Sequence, residues 1–488
     1  MFIRIKQQLF LGVIFMGKIL LELKNICKSF GDTEVLHDFN LYIMENEFVT
    51  LLGPSGCGKS TLLRMIGGFD EPSSGEIIFD GKLINAVEPN KRQINTVFQR
   101  YALFPHLNVY DNVAFGLKIK KLPKDEIEKE VLRALKLVQM DEYAYRKIDT
   151  LSGGQMQRVA MARAIVLKPR LLLLDEPLAA LDKKLRQDLQ YELKEMQREL
   201  GITFLYVTHD QEEALTMSDT VVVMNEGRIL QIGSPEAIYN EPNTRFVANF
   251  IGESNIIDGV VPQDFKVKFE NALFDTTYEG FSKGEEVDVV IRPEDLLIIP
   301  KDKAKITGVI DSKVFKGDLF EINVIVESGK EYTIHTTKNY ELGLEVGLDV
   351  DKENITLMKK PGLNTFTGVI ENECYVRVND EMVFEILDDE ESLSYEEGEK
   401  VIVKVLTENV LLEGDVDDAD FEGVIKDIKK RDMYFDVYVS VGDKIITAST
   451  SNPNHKVGQT VGIWVKPEKV VVLKEEIEDT SNIEALND

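Results

Sequence analysis

Cysteine is scarce in this sequence. Only Cys27, Cys57 and Cys374 occur among 488 residues, and no two of them have the Cys-x-x-Cys spacing. Scattered cysteines of this kind predict neither a zinc site nor a disulfide framework, and they favour a reducing compartment. The pattern therefore excludes a small secreted fold that is held together by disulfides.

Positive charge is also in short supply. The chain has 57 lysines and arginines against 85 aspartates and glutamates, which gives a formal net charge of −28. A protein that binds nucleic acid needs a basic surface to neutralise the phosphates. We therefore predict no nucleic-acid partner, although a local basic patch is compatible with this charge.

Apolar segments long enough to cross a membrane are lacking as well. The apolar run at residues 9–15 follows a basic start, whereas a spanning helix needs about 20 residues. This run resembles a short signal peptide. Alternatively, Met16 is the true start and the preceding residues are an upstream extension. We expect residues 1–18 to be an N-terminal extension in which the start is uncertain.

The first half of the chain alternates strand and helix patterns. EFVTLLG at 47–53 is an apolar strand that runs into a glycine loop, and RLLLLDE at 170–176 is typical of a strand buried on both faces. Residues 183–200 space their leucines three and four apart, as in an amphipathic helix. This alternation predicts an α/β domain with a mixed, largely parallel sheet over residues 19–253.

The second half contains short strands, glycine turns and no long helical pattern. The triplet Gly-Val-Val or Gly-Val-Ile begins at residues 259, 308, 368 and 423, a period of about 50 residues. Such a repeat predicts small OB-like β-barrel modules in series. We expect one β domain at 254–362, a second β pair at 363–476 and a flexible tail at 477–488.

The segment GPSGCGKST at 53–61 has the spacing G-x-x-x-x-G-K-[ST] between a strand and a helix pattern. Its backbone amides are expected to form a nest for phosphate oxygens. In this phosphate loop Lys59 is expected to reach the β- and γ-phosphates, and Ser60 to bind Mg²⁺. A glycine turn that merely starts a helix would not need a lysine at that position. The predicted nucleotide-binding residues are Gly53, Pro54, Ser55, Gly56, Cys57, Gly58, Lys59, Ser60 and Thr61.

Two carboxylates and a histidine follow later strands. Asp175 and Glu176 end an apolar strand, where adjacent carboxylates are costly unless a cation binds them. We expect Asp175 to hold Mg²⁺ and Glu176 to act as the general base for an attacking water. His209 ends another predicted strand and is expected to contact the γ-phosphate. The alternative is that this histidine is an ordinary surface or core residue.

A second candidate phosphate site lies at LSGGQ, residues 151–155. Ser152 occupies a capping position before a predicted helix, and Gly153 and Gly154 leave the first amides of that helix bare. A helix N-terminus of this kind attracts anions. One chain thus has two phosphate-binding elements about a hundred residues apart.

Six motifs together resemble the ATP-binding cassette of ABC transporters. They are the phosphate loop, VFQRY with Gln99, LSGGQ, LLLLDEP, ALD at 180–182 and VTHD, and they span residues 53–210. The resemblance implies that a homodimer arranged head-to-tail completes two ATP sites, each capped by the signature motif of the opposite copy. That signature motif is formed by Leu151, Ser152, Gly153, Gly154 and Gln155.

The same resemblance implies roles for three further residues. Phe30 stands where an aromatic ring stacks on adenine, although it could also be a core residue. Gln99 stands where a glutamine binds Mg²⁺ and senses the membrane partner, and Asp182 stands in the D-loop at the dimer contact. Met156 departs from the family pattern by being apolar, and we expect little effect from it.

The resemblance also implies partners. We expect two separate integral membrane permease subunits, an extracytoplasmic polyamine-binding protein that acts through them, and a location on the cytoplasmic face of the cell membrane. Residues 100–117 stand where importer cassettes grip the permease, although they could also be helical core. Soluble translation-type cassette proteins carry two cassettes and chromosome-maintenance ATPases carry long heptad arms, whereas this sequence has one phosphate loop and no such arms.

Within this family, the amino-acid sequences of several segments resemble those of the ATPases of polyamine importers. ALFPHLNVYDNVAFGL, LGITFLYVTHDQEEALTMSD and ANFIGESNI carry that likeness, and IRPEDL at 291–296 resembles the regulatory domain known as TOBE. Spermidine or putrescine is therefore the expected cargo, with a carbohydrate or iron as the alternative. The acidic stretches at 387–400 and 413–423 could sense polyamine or could simply be solvated loops.

Overall fold

The computed structural model describes residues 18–474 except 32, 100, 180, 373, 387–394, 414–418, 432–433, 451 and 453–454. The expected N-terminal extension, apart from Lys18, and the tail at 477–488 lie outside the described residues. So do Arg100, Ala180 and much of the two acidic stretches, and the proposals on those stretches stay untested. The chain divides into two units, 1–241 and 242–488, which are described separately.

The first unit combines an antiparallel sheet, a mostly parallel sheet and a group of helices. Its described strands are β1 (Ile19–Phe30), β2 (Thr33–Met44), β3 (Phe48–Leu52), β4 (Ser74–Phe79), β5 (Lys82–Leu83), β6 (Ile94–Val97), β7 (Leu171–Asp175), β8 (Thr203–Thr208), β9 (Thr220–Asn225) and β10 (Arg228–Gly233). Its described helices are α1 (Lys59–Gly67), α2 (Val109–Ile119), α3 (Lys124–Leu137), α4 (Gly153–Ile165), α5 (Lys183–Leu200), α6 (Gln211–Met217) and α7 (Pro235–Asn240).

The six-stranded sheet has the order β10-β9-β3-β8-β7-β6 and provides the frame of this unit. Strands β9, β3, β8, β7 and β6 are parallel, and only β10 at one edge runs antiparallel. The predicted mixed, largely parallel sheet is therefore confirmed. A second sheet, β2-β1-β4-β5, is antiparallel.

Strand β7 shows why the apolar run before Asp175 is continuous. Leu172 and Leu174 pack into the core that includes α2, α3 and α4, whereas Leu171 and Leu173 pack into the core beneath the antiparallel sheet. Both faces of the strand are thus buried, as expected for a central parallel strand. The amphipathic pattern of 183–200 is also confirmed, because α5 buries Leu189 and Leu193 against the same helical core.

The second unit is built of antiparallel strands after one short helix, α8 (Arg245–Ile251). Its boundary falls after Glu241, ahead of the expected end of the cassette at 253. The reason lies in the contacts of α8: Arg245 forms an ion pair with Asp288, and Arg292 donates to the carbonyl oxygens of Ala248 and Gly252. The helix is therefore fastened to the β structure that follows it.

The strands of the second unit fall into two sets with the same order. The first set is β11 (Asn255–Gln263), β12 (Lys266–Phe269), β13 (Ala272–Asp275), β14 (Glu285–Ile291), β15 (Leu296–Ile299), β16 (Ile306–Phe315), β17 (Phe320–Val326), β18 (Glu331–Thr336), β19 (Glu345–Val350) and β20 (Thr356–Lys359). The second set is β21 (Leu363–Asn372), β22 (Tyr375–Asn379), β23 (Met382–Glu385), β24 (Lys400–Leu406), β25 (Leu411–Glu413), β26 (Phe421–Arg431), β27 (Tyr434–Val441), β28 (Lys444–Thr450), β29 (Thr460–Trp464) and β30 (Val471–Lys474).

Each set forms two five-stranded antiparallel sheets, and the second set reproduces the strand order of the first. Sheet β13-β12-β11-β14-β20 corresponds to β23-β22-β21-β24-β30, and β15-β19-β16-β17-β18 corresponds to β25-β29-β26-β27-β28. Each set also has a hydrophobic core of its own. The repeat seen in the sequence is therefore a duplication of a whole two-sheet module.

One turn recurs at all four Gly-Val repeats. The amides of Gly284, Gly343, Gly398 and Gly458 donate to the carbonyl oxygens of Val261, Ile310, Ile370 and Ile425, respectively, at 2.7 to 2.8 Å. Each of these turn glycines has a positive φ, between 76° and 87°. Glycine adopts that backbone conformation without steric penalty, which explains why every repeat closes with one.

A buried asparagine joins the two sheets in each module. Asn255 accepts from the amide of Thr333 and donates to its carbonyl oxygen, both at 2.8 Å, and Asn364 makes the same pair of bonds with Thr447 at 2.8 Å. The matched contacts indicate that the duplication preserved the way in which the two sheets are locked together.

We predict that Asn364→Ala will increase hydrogen exchange at the Thr447 amide by about ten- to a hundredfold, because a buried hydrogen bond of ordinary strength is lost. The measurement is peptide-resolved hydrogen exchange on the full chain. The amide of Thr333 serves as the internal control, since its own partner, Asn255, is untouched. Equally faster hydrogen exchange at both amides would show that the two asparagine contacts do not act independently.

Among the described residues, no helix is both long enough and apolar enough to cross a membrane.

Candidate nucleotide-binding site

Four parallel strands bring the predicted site residues to one edge of the six-stranded sheet. The phosphate loop follows β3, Gln99 follows β6, Asp175 and Glu176 lie at the end of β7, and His209 follows β8. The carboxyl ends of neighbouring parallel strands meet at the same edge, which is where open α/β sheets bind ligands. Sequence-distant residues are thereby collected in one place.

The phosphate loop needs glycine for steric reasons. A Cβ on Gly53 would lie 2.3 Å from the carbonyl oxygen of Met224, and one on Gly58 would lie 2.7 Å from Leu36 Cδ2. Gly56 and Gly58 also have φ of 86° and 95°. Helix α1 then begins at Lys59 without a side-chain cap on its first amides. Uncapped amides at a helix N-terminus fit a phosphate group.

Lys59 is buried in this loop, with 4% of its surface exposed. Its Nζ donates to the carbonyl oxygens of Gly53 at 2.8 Å and Pro54 at 2.7 Å, and no described carboxylate forms an ion pair with it. A buried ammonium without a counter-ion is costly. The loop therefore fits an anionic ligand that would supply the missing charge.

Cys57 lies beside Lys59 but plays a different part. Its Sγ is 3.6 Å from Lys59 Nζ, and burial raises the pKa of the thiol above its usual range. The thiol is thus held in its protonated form, which is a poor nucleophile and a poor metal ligand. Cys57 serves here as a buried packing residue of the loop.

The pair Ser60 and Asp175 fits a divalent cation. Ser60 Oγ donates to Asp175 Oδ1 at 2.9 Å. Burial raises the pKa of the Asp175 carboxyl, the Ser60 hydroxyl opposes that shift, and the neighbouring Glu176 carboxylate adds to it. A half-buried carboxylate next to another carboxylate is stabilised by a cation, and oxygen ligands of this type suit Mg²⁺.

Glu176 connects the ends of three strands. Its carboxylate accepts a hydrogen bond from Gln99 Nε2 at 3.1 Å and lies 3.2 Å from His209 Nδ1, while its amide donates to Val207 at 3.0 Å. The backbone φ of Glu176 is 43°, a left-handed conformation that is uncommon for residues other than glycine. Such strain persists where the surroundings hold it and is common at functional sites.

His209 is an exposed residue, with 53% of its side chain accessible, whereas the Glu176 side chain is 20% accessible. The interpretation of His209 as a core residue is therefore wrong. Phe30, at the end of β1, is also 53% exposed, and Lys28 Nζ lies 4.8 Å from its ring. A core role for Phe30 is excluded as well, because its ring is exposed.

The signature motif begins α4 and caps it. Ser152 Oγ accepts from the Gln155 amide at 3.4 Å, and Gln155 Oε1 accepts from the Ser152 amide at 3.0 Å. A Cβ on Gly154 would meet Leu185 at 2.9 Å, but Gly153 has nothing closer than 3.9 Å. No hydrogen bond between described residues joins this motif to the phosphate loop of the same chain. Met156 packs partly buried against the helical core.

Asp182 caps the helix that follows it. Its Oδ1 accepts from the amide of Leu185 at 3.0 Å at the start of α5. One turn later, Arg186 donates to Asp210 Oδ2 at 2.7 Å and to the carbonyl oxygen of Leu181 at 3.1 Å. Sequence reasoning missed Arg186, since a charged residue on an amphipathic helix gives no signal of a tertiary role. The contact ties the D-loop to the residue after His209.

Comparison with known proteins places these features in a family. A family profile described as ABC transporter matches residues 36–179. The spermidine/putrescine import ATP-binding protein PotA of Bacteroides fragilis is 51% identical over 461 residues, which cover 94% of this chain and 99% of that protein. The protein of the same name from Clostridium acetobutylicum is 57% identical over 342 residues, covering 70% of this chain and 97% of its own length.

Among solved structures, a dimeric bacterial ABC transporter cassette is 34% identical to this chain and covers 44% of it and 99% of the solved chain, with a TM-score of 0.41. The Clostridium relative is a shorter protein than this one, because the 342 matched residues make up 97% of its length but only 70% of this chain. The Bacteroides relative, by contrast, matches nearly the whole of the present chain.

Proposed function

We propose a function on the premise that this chain belongs to the family of ABC transporter ATPases that serve spermidine and putrescine import. The chain hydrolyses ATP, and this hydrolysis drives polyamine uptake through separate permease subunits. Its identity of 51% across 99% of the Bacteroides fragilis relative supports the premise. The relatives described above give no support to carbohydrate or iron as the cargo.

One observation carries the catalytic part of this proposal: the carboxylate of Glu176 lies within 3.2 Å of both Gln99 Nε2 and His209 Nδ1, next to the Ser60–Asp175 pair. Lys59 and the first amides of α1 bind the phosphate groups, and Phe30 stacks on the base. Ser60, Asp175 and Gln99 hold Mg²⁺. At these residues Mg²⁺ would supply positive charge that stabilises the phosphoryl group during its transfer to water.

Glu176 acts as the general base and takes a proton from the attacking water. His209 and Gln99 hold its carboxylate from two sides, so that one oxygen faces each neighbour. Asp175 instead accepts through its Oδ1 from Ser60, the residue with which it would hold Mg²⁺. The division of labour between the two adjacent carboxylates thus follows from their different partners.

The signature motif of a second copy closes over the phosphates in a head-to-tail homodimer. Its capping box leaves Ser152 and Gln155 engaged on their own helix, while Gly153 stays open to a ligand. Asp182 and the rest of the D-loop lie at the contact between the two copies. An isologous dimer of this kind completes both sites by a single arrangement.

The permease subunits dock on the helical part of the first unit. Phe104 and Phe115 pack with ring centroids 4.5 Å apart, Tyr110 and Tyr145 stack at 5.9 Å, and Tyr145 is 74% exposed. These rings offer an apolar surface to a membrane partner. We further propose that the chain works at the cytoplasmic face of the membrane, and that an extracytoplasmic polyamine-binding protein delivers cargo to the permease.

Uptake of labelled spermidine and labelled maltose tests this function in cells that rely on this chain together with its permease. We expect Glu176→Gln to abolish spermidine uptake and to leave maltose uptake unchanged. The matched control is Glu195→Gln, which alters an exposed glutamate of α5 whose carboxylate pairs with Arg198. Loss of maltose uptake alone would overturn the cargo, and normal uptake of both would overturn the importer role.

A further inference from the structure

Arg163 links the signature helix to the segment that follows Gln99. It lies in the last turn of α4, and its guanidinium donates to the carbonyl oxygens of Ala102 at 2.7 Å and Tyr101 at 3.0 Å. The guanidinium also lies over the ring of Phe104, at 5.4 Å from its centroid. Sequence reasoning gave this residue no role.

The segment that Arg163 holds is strained. Tyr101 and Ala102 are consecutive residues with φ of 59° and 48°, in the left-handed region that non-glycine residues avoid. Such a conformation is unfavourable and persists only where its surroundings enforce it. The two hydrogen bonds from Arg163 fall on these two residues, so this side chain enforces the turn.

The hydrogen bonds that Arg163 makes to this segment are not shared with an ion pair to any described carboxylate. Burial lowers the pKa of its guanidinium from the ordinary value. Arg158, on the same helix, differs: it pairs with Glu192 at 2.7 Å and donates to the carbonyl oxygen of Val138. Arg158 therefore fastens α4 to other helices without contacting the segment after Gln99.

Tyr101 contacts the opposite end of the same helix. Its hydroxyl is buried without a hydrogen-bond partner among the described residues, and it lies 4.0 Å from where a Cβ on Gly153 would stand. The side chain of Tyr101 thus runs along α4 towards the signature motif, while its carbonyl oxygen is held by Arg163. Tyr101 therefore lies against both ends of α4.

The other side of the segment leads to the catalytic carboxylate. Gln99 precedes Tyr101 by two residues, and its Nε2 donates to Glu176 Oε2 at 3.1 Å. Contacts therefore join α4 through Arg163 to the turn at 101–102, and Gln99 to Glu176, while Arg100, which links the two parts along the chain, lies outside the described residues. Together they join the motif that serves the partner's nucleotide to the base that serves the chain's own.

We propose that Arg163 is a positioning residue that couples the two ATP sites of the dimer, by setting Gln99 and hence Glu176 according to the position of the signature helix. This inference rests on the proposed function. When the signature motif engages the partner's phosphate, α4 shifts, and Arg163 transmits that shift to the chain's own site. Loss of Arg163 leaves each site able to bind nucleotide but uncouples it from the other.

ATP hydrolysis by the full-length dimer tests the inference in wild type, Arg163→Met, Arg163→Lys and Arg158→Met. We expect Arg163→Met to lower kcat about tenfold, as for the loss of ordinary hydrogen bonds. Its KM for ATP should change less than about twofold because the phosphate loop is untouched. The Hill coefficient should fall to the non-cooperative limit, Arg163→Lys should recover part of both values, and Arg158→Met should behave as wild type.

The outcomes separate this inference from the function on which it rests. A wild-type chain that does not hydrolyse ATP overturns the proposed function and the coupling together. A cooperative wild type with unchanged kcat and Hill coefficient in Arg163→Met overturns the coupling alone. An equal loss in Arg158→Met shows general damage to α4 and also overturns a specific role for Arg163.

Discussion

Glu176→Gln is expected to bind ATP and to dimerise while hydrolysing ATP about 10²- to 10⁴-fold more slowly than wild type, the range that loss of a general base produces. Glutamine has the shape of glutamate, and its carbonyl oxygen can still accept from Gln99 Nε2, which now lies 3.1 Å from the carboxylate. What glutamine cannot do is take a proton from water. The change therefore removes the chemistry and keeps the geometry.

Single-turnover hydrolysis with saturating ATP measures the chemical step, and light scattering with ATP present measures the dimer. Glu212→Gln is a suitable control because Glu212 lies three residues after His209 and bonds Gln187 rather than Glu176. We expect the control to hydrolyse ATP as wild type does. A Glu176→Gln variant that also kept the wild-type rate would show that another group takes the proton.

Much of the site could be predicted because its motifs are local in sequence. The phosphate loop combines its glycine spacing with a lysine and a serine within nine residues, so the pattern can be read locally, although the atoms that require glycine at 53 and 58 belong to the distant Met224 and Leu36. Asp175 and Glu176 are predicted as site residues because two carboxylates after four leucines are hard to explain otherwise. Physical requirements that act over a few residues leave a readable pattern.

Contacts between distant segments left no such pattern. The left-handed φ of Glu176, the bond from Gln99 to Glu176 and the hold of Arg163 on Tyr101 and Ala102 all depend on how the strands and helices meet. In the sequence, Arg163 is one charged residue on a helix and resembles any solvated one. Tertiary roles of such residues follow only from the assembled fold.

The β modules show the same division. The period of about 50 residues and the glycine turns were readable in the sequence, since each turn glycine needs a positive φ. The strand order was not, because β20 and β30 join their sheets only after some 60 intervening residues have formed another sheet. Local turn chemistry reveals the repeat, and long-range pairing decides its architecture.

A mixed dimer of two variants tests the head-to-tail arrangement, and the expected change in ATPase activity is again large. Lys59→Met removes the buried ammonium of the phosphate loop, and Gly153→Asp places a negative charge where the signature motif should meet a phosphate. A Cβ on Gly153 would make only van der Waals contacts, at 3.9 Å and beyond, whereas a Cβ on Gly154 would clash with Leu185 at 2.9 Å. Each variant alone is expected to lose ATPase activity about 10²- to 10³-fold, as for loss of a major electrostatic contact.

Co-expression of the two variants with different affinity tags, followed by purification through both tags, yields only mixed dimers. In a head-to-tail dimer one site then combines both defects and the other combines an intact loop with an intact signature motif. We expect activity well above that of either single variant, with about half of the wild-type rate as the upper limit for independent sites and a lower rate where the two sites are coupled. If each chain instead formed a complete site by itself, both sites of the mixed dimer would be defective and no activity would return.

The reverse mixture makes the test decisive, because it exchanges the two expected results. A chain with both Lys59→Met and Gly153→Asp, paired with a wild-type chain, leaves each head-to-tail site with one defective element, so activity should stay near that of the single variants. Sites built within one chain would keep the wild-type site intact and retain about half of the activity. Recovery in the first mixture together with loss in the second therefore has one explanation: the phosphate loop of each copy works with the signature motif of the other.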